Sequence, residues 1–144
     1  MRENRLAVII LFFLIIYLSS CSVNDAHSKE NQDIVFDRDY TYFSDYYITD
    51  GTVEFVCHYV IINQTNSVCT VQLIGSFEED HARGLIKEEQ LLAEDLEEGN
   101  TTFELLPGTN SLDVVYIGTF SGTTNMKASR LLPKTEIRIQ AWNG

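Results

Sequence analysis

Hydrophobic and polar positions change rhythm three times along this chain. Residues 6–18 are an uninterrupted apolar run of 13 residues, which gives way at residues 22–33, SVNDAHSKENQD, to a stretch with a single large apolar residue. That stretch cannot bury itself and reads as a flexible spacer. From Ile34 onward apolar residues mostly alternate with polar ones, the period that sends successive side chains to opposite faces of a strand. Seven strands are predicted on this pattern, at residues 34–36, 42–49, 52–62, 68–77, 102–106, 112–120 and 135–142.

Asp50-Gly51, between two β-rich runs, suits a two-residue type I′ hairpin turn. With that turn Thr49 opposes Thr52, and further out Ile48 opposes Val53, Tyr46 opposes Phe55, Ser44 opposes Cys57 and Tyr42 opposes Tyr59. This face is almost wholly apolar or aromatic, an agreement that the choice of turn does not force. The opposite face then carries Phe43, Tyr47, Val56, His58, Val60 and Ile62, joined by Ile74 of the next strand. A solvated sheet face is mainly polar, and an exposed apolar one marks an interaction site. Phe43, Tyr47, Val56 and His58 are therefore the candidate partner-binding face, with Phe43 and Tyr47 as aromatic anchors. The competing reading has the acidic segment downstream fold back and bury Leu85, Ile86, Leu91 and Leu92 against it.

Residues 63–67, NQTNS, form a turn cluster that predicts a second hairpin between strands 52–62 and 68–77. Alternation places Cys57 and Cys69 on the same inward face as diagonal neighbours, further apart than the roughly 3.8 Å between Cβ atoms that a disulfide prefers. A Cys57–Cys69 bridge and two buried thiols both stay open. Residues 78–100 hold nine acidic residues against Arg83 and Lys87, with Leu85, Ile86, Leu91, Leu92 and Leu96 as an imperfect helical stripe. A long crossover is expected, with a short helix between Lys87 and Leu96 closed by Gly99-Asn100. Its acidity reads as a solvated face, with calcium binding as the alternative, although no spacing matches the loop of an EF-hand. Pro107-Gly108-Thr109-Asn110 predicts a turn, and residues 112–120 a strand apolar on both sides.

Strands joined by hairpin turns, with one long acidic crossover, give a mainly β fold, a single antiparallel β-sandwich. The run from Phe55 to Phe77 and Ile117-Gly118-Thr119-Phe120 resemble immunoglobulin-like domains of uncharacterised bacterial surface lipoproteins. The widely separated cysteine pair and central tryptophan of antibody domains are lacking, so the resemblance implies architecture alone.

The N-terminal pattern sets the address. Arg2 and Arg5 precede the apolar run, and Leu18-Ser19-Ser20-Cys21 closes it, the layout of a signal peptide. The run is shorter than the roughly 20 residues that span a bilayer. The tetrapeptide resembles the lipobox of bacterial lipoproteins, which implies that Cys21 receives a diacylglycerol and becomes the first mature residue. Two or three palmitate-type chains, at about 0.8 kcal/mol per buried methylene, would hold it at the extracytoplasmic face of the cell membrane, or of the outer membrane in a Gram-negative cell. The organisation expected is a signal peptide (1–20), a lipidated cysteine with its tether (21–33) and a β-sandwich domain (34–144). A 12-residue tether reaches roughly 20 Å.

Charge narrows the partners. Residues 1–20 carry a net +1 against −11 for the whole chain, so the remaining 124 residues carry −12. Nucleic acid is disfavoured as a partner, as is adhesion of the domain surface to anionic lipid. His27, His58 and His81 lack the short spacings of a zinc site, and neither Gly75-Ser76 nor Ser121-Gly122 makes a nucleophile elbow. No cofactor or metal is expected. Asn63-Gln64-Thr65 and Asn100-Thr101-Thr102 match glycosylation sequons but read more simply as turn chemistry. The expected function is a non-catalytic binding or accessory module that contacts a protein or another cell-envelope component; the alternative is a small envelope enzyme using a carboxylate pair.

Overall fold

The computed structural model describes residues 33–123 and 130–143, all within the compact unit Asn31–Gly144. The apolar run, Cys21, His27 and nearly all of the tether lie outside the described residues. The elements in order are β1 (Ile34–Phe36), β2 (Tyr42–Thr49), β3 (Thr52–Asn63), β4 (Val68–Ser76), α1 (Glu78–Ala82), β5 (Gln90–Asp95), β6 (Phe103–Leu105), β7 (Gly108–Thr119) and β8 (Lys134–Asn143).

All strand pairs are antiparallel, and they form a β-sandwich. In one sheet β1 and β2 share an edge of β3, which pairs along its whole length with β7. In the other, β8 flanks β4 on one edge and β6 on the opposite one. The strand β5 belongs to both sheets: Gln90, Leu91 and Leu92 pair with β4, and Ala93, Glu94 and Asp95 with β7. It nearly closes the sandwich along that side.

The core fills the space between the sheets from alternate positions: Val53, Phe55, Cys57, Tyr59 and Ile61 of β3, Cys69, Val71 and Leu73 of β4, Val114 and Tyr116 of β7. Phe77 stacks on Phe55 at 4.6 Å between ring centroids and meets Tyr116 edge-on at 5.2 Å. Gly75 makes room for this trio, because a Cβ there would lie 2.8 Å from Phe77 and 3.0 Å from Tyr116. Burying each large apolar side chain stabilises the fold by about 1.5–3 kcal/mol. The buried hydroxyls of this core are satisfied across the sheets, Tyr59 Oη lying 2.7 Å from Thr135 Oγ1 and 3.2 Å from Tyr116 Oη.

Four expectations need correction. The strands β3 and β4 do not pair; the loop between them carries the chain from one sheet to the other, and Ile74 thereby leaves the face of β3. Asn63, which is buried, organises this crossing. Its Nδ2 donates to the carbonyls of Ser67 (2.9 Å) and Leu105 (3.0 Å), and its Oδ1 accepts from Thr65 N (3.0 Å) and Thr65 Oγ1 (2.7 Å). The first sequon is thus turn chemistry with its amide already engaged.

Secondly, the segment between Lys87 and Leu96 is strand β5, not helix. Leu91 and Ala93 point into the core while Leu92 and Glu94 point out, a period of two too short to stand out beside the leucine stripe. The β4 and β7 backbone groups facing this gap require partners, and β5 supplies them. The only helix among the described residues is α1, with Glu78, Glu79 and Asp80 in its first turn, where carboxylates suit the helix dipole.

Thirdly, the hairpin turn is not type I′. Gly51 alone has a positive φ, 91°, and Asp50 does not share it. The register nevertheless begins as expected, with Thr49 opposite Thr52, Ile48 opposite Val53 and Tyr46 opposite Phe55.

Fourthly, that register breaks at Ser44. A β-bulge between Phe43 and Asp45 places Phe43, not Ser44, opposite Cys57, and Tyr42 opposite His58. An extra residue on an edge strand turns every side chain beyond it to the other face. Phe43 is therefore packed against the core.

Candidate functional site

The outer face of β2, β3 and β7 presents the candidate residues that remain outside the core. Tyr47 is 50% exposed, Val56 and His58 are half-buried, and Phe43 does not belong to the face. The acidic segment does not cover it: Leu85, Ile86 and Leu91 are buried in the core between the sheets, and Leu92 is exposed elsewhere.

His58 is the fixed centre of this face. Its Nδ1 lies 2.7 Å from Asp113 Oδ1, directly across the β3–β7 ladder, and its Nε2 lies 3.3 Å from Ser111 Oγ. A carboxylate only accepts, so Nδ1 donates to Asp113, and Nε2 and the serine hydroxyl share the second hydrogen bond. Tyr42, brought opposite His58 by the bulge, stacks on the imidazole with ring centroids 4.9 Å apart at 21°.

The order Ser111, His58, Asp113 is that of a nucleophilic triad, but such a triad works only beside donors for the developing oxyanion in a site that excludes water. These three residues stand on an open sheet face, where the Asp113 side chain is 64% exposed. The network holds the imidazole in place.

Four residues further along the same face of β3 lie Glu54 and, directly opposite it, Tyr47, whose hydroxyl donates to Asp45 Oδ2 at 3.0 Å. That bond to Asp45, with the charges of Asp45 and Glu54, raises the Tyr47 phenol above its ordinary value. Val56 and the exposed Ile117 supply the apolar ground between these polar groups.

A cleft of about 690 Å³ lies elsewhere, between α1 and residues 130–134. Arg130 pairs there with Asp80, and its guanidinium sits 4.3 Å from the centroid of Phe55 and 5.6 Å from that of Phe43. The inward turn of Phe43 thus helps to cover a largely buried cation. Cys57 and Cys69 are both free thiols, buried on β3 and β4 in opposite sheets; the bridge left open by the sequence is not formed. Burial pushes the Cys57 thiol up to about 12 against the opposing effects of Tyr59 and the Arg130 charge, so it is not a thiolate nucleophile at neutral pH.

His81 pairs with Glu89 at 3.6 Å, and no three His, Cys, Asp or Glu side chains converge on a metal position among the described residues.

Sequence reasoning missed Ser111, Asp113 and Tyr42 as neighbours of His58. The signal for the first two was their parity on an apolar strand, legible only once β3 is paired with β7 instead of β4. Comparison with family models, curated proteins and solved structures returns no match.

Proposed function

We propose that this protein is a lipid-anchored, extracytoplasmic binding module of the bacterial cell envelope, without catalytic activity of its own. The tether rests on Leu18-Ser19-Ser20-Cys21, whose cysteine would carry the acyl chains and hold the domain at the membrane surface. One observation supports the binding role: a sheet face that exposes Tyr42, Tyr47 and Ile117 and carries an imidazole whose orientation is already fixed. Rigid aromatic side chains on a fixed scaffold lose little entropy when a partner covers them.

The test is a pull-down from intact cells with the lipidated protein as bait. The expected result is a polypeptide or envelope component recovered by the wild type and lost with Tyr42→Ala/Tyr47→Ala, at unchanged thermal stability. Turnover of an envelope substrate with no partner recovered would overturn the reading in favour of an enzyme.

A further inference from the structure

The charges of the outer face are one-sided. Strands β2, β3, β5 and β7 contain no lysine or arginine, although the chain has ten. Their outward positions carry Asp45, Glu54, Glu94 and Asp113 instead. The positive residues nearest in sequence, Arg38 and Lys87, lie in connections outside these strands.

Two of the carboxylates stand near aromatic groups: Glu54 is opposite Tyr47 across the β2–β3 ladder, and Asp113 is bonded to His58, on whose ring Tyr42 stacks from the other side. A cation over the Tyr47 ring beside Glu54, or at the Asp113 end of the Tyr42–His58 stack, meets both a carboxylate and an aromatic group, two attractions that reinforce each other when water is excluded. Val56 and Ile117, between the charged positions, offer apolar ground for the methylene stems of long cationic side chains.

Charge also excludes other occupants. The chain without residues 1–20 carries −12, so a second copy, an anionic lipid surface and nucleic acid are all repelled from this face.

We propose that this face receives a basic, extended polypeptide segment, whose lysine or arginine side chains pair with Glu54 and Asp113 and stack on Tyr42 and Tyr47. The inference rests on the binding-module reading and names its partner class.

The probes are two fluorescent peptides, one alternating Arg with Ser and one alternating Glu with Ser, titrated with the full lipidated chain in a zwitterionic detergent at about 0.15 M salt. The arginine peptide binds and the glutamate peptide does not. The charge-removing pair Glu54→Gln/Asp113→Asn and the ring-removing pair Tyr42→Ala/Tyr47→Ala each weaken binding about tenfold or more. Glu97→Gln/Glu98→Gln, an equal change of charge in the loop after β5, weakens it less than about twofold. Equal losses from the two charge-removing pairs would show attraction to bulk charge and overturn the proposal.

In intact cells, a photo-reactive residue at position 56 then reads the native contact, with the cross-linked segment sequenced by mass spectrometry. A segment bearing lysine or arginine supports the inference. A segment without basic residues, or a cross-linked envelope component that is not a polypeptide, overturns it while leaving the binding module intact, and no cross-linked product of any kind overturns both.

Discussion

Phe43 stands opposite Cys57, while Asp45, two residues further on, stands opposite its immediate neighbour Val56. The extra residue at Ser44 separates Phe43 and Tyr47, four positions apart in the chain, onto opposite faces of the sheet. Replacement by serine should therefore have unlike consequences. Phe43→Ser removes a core contact and half the aromatic cover of Arg130, and should cost about 2–4 kcal/mol in urea unfolding. Tyr47→Ser, on the exposed face, should cost less than about 1 kcal/mol. Equal losses would return both residues to one face.

Asn63 and Leu105 are joined by the bond that ties the β3–β4 crossing to β6. Asn63→Ala strands the carbonyl of Leu105 and the amide of Thr65 and leaves a small void, for an expected loss of about 2–4 kcal/mol. Asn63→Asp keeps the acceptor for Thr65 but places a carboxylate against two carbonyls, and should be no more stable than the alanine variant. Urea melts compare the three proteins; a loss under about 0.5 kcal/mol for Asn63→Ala would contradict this role.

These two positions show what the sequence made legible. Alternation located seven of the eight strands, and the Asp50-Gly51 turn gave the pairing from Thr49 to Tyr46 correctly. A bulge leaves no mark in a run where Tyr, Phe, Ser and Asp all sit comfortably on an edge strand, so alternation alone puts Phe43 on the wrong face. The β3–β4 crossing is hidden because NQTNS suits a hairpin turn as well as an arch between sheets; the arch follows from long-range contacts, the pairing of both β3 edges with β1, β2 and β7 and the bond from Asn63 to Leu105. Strand β5 was concealed by five apolar residues that also fit a helical stripe, and its place is decided by the unpaired edges of β4 and β7. His58 and Tyr47 were found on the candidate face, but the neighbours of His58 depended on the β3–β7 pairing.

Glu88 couples the connection before β5 to the end of β7. Its carboxylate accepts from Thr119 N at 2.8 Å and from Thr119 Oγ1 at 2.6 Å. Partial desolvation pushes the carboxyl up, but these bonds and those from the backbone amides of Glu88 and Lys87 prevail and lower it. Since the folded state favours the charged form, the stabilisation is fully present above the ordinary glutamate range, about 4.3, and is lost as pH falls through the lowered folded value. The stability difference between wild type and Glu88→Gln should be largest at neutral pH and shrink on acidification. A difference independent of pH would contradict the charged bond.

Cys57 and Cys69 should behave as inert core residues. Under native, non-reducing conditions neither should be alkylated by iodoacetamide at neutral pH, and both should react once the domain is unfolded in urea. An intact mass showing an oxidised pair before any denaturation would contradict the free thiols.

Membrane attachment through Cys21 is the claim on which the rest of the functional reading depends. Its most direct measurement is metabolic labelling with an alkyne fatty acid in cells expressing the wild type or Cys21→Ser, read by in-gel fluorescence alongside intact mass. The wild type should carry the label and begin at Cys21, whereas the variant should be unlabelled and retain its first 20 residues. Label on the variant, or a wild-type protein that begins elsewhere and carries none, would contradict it.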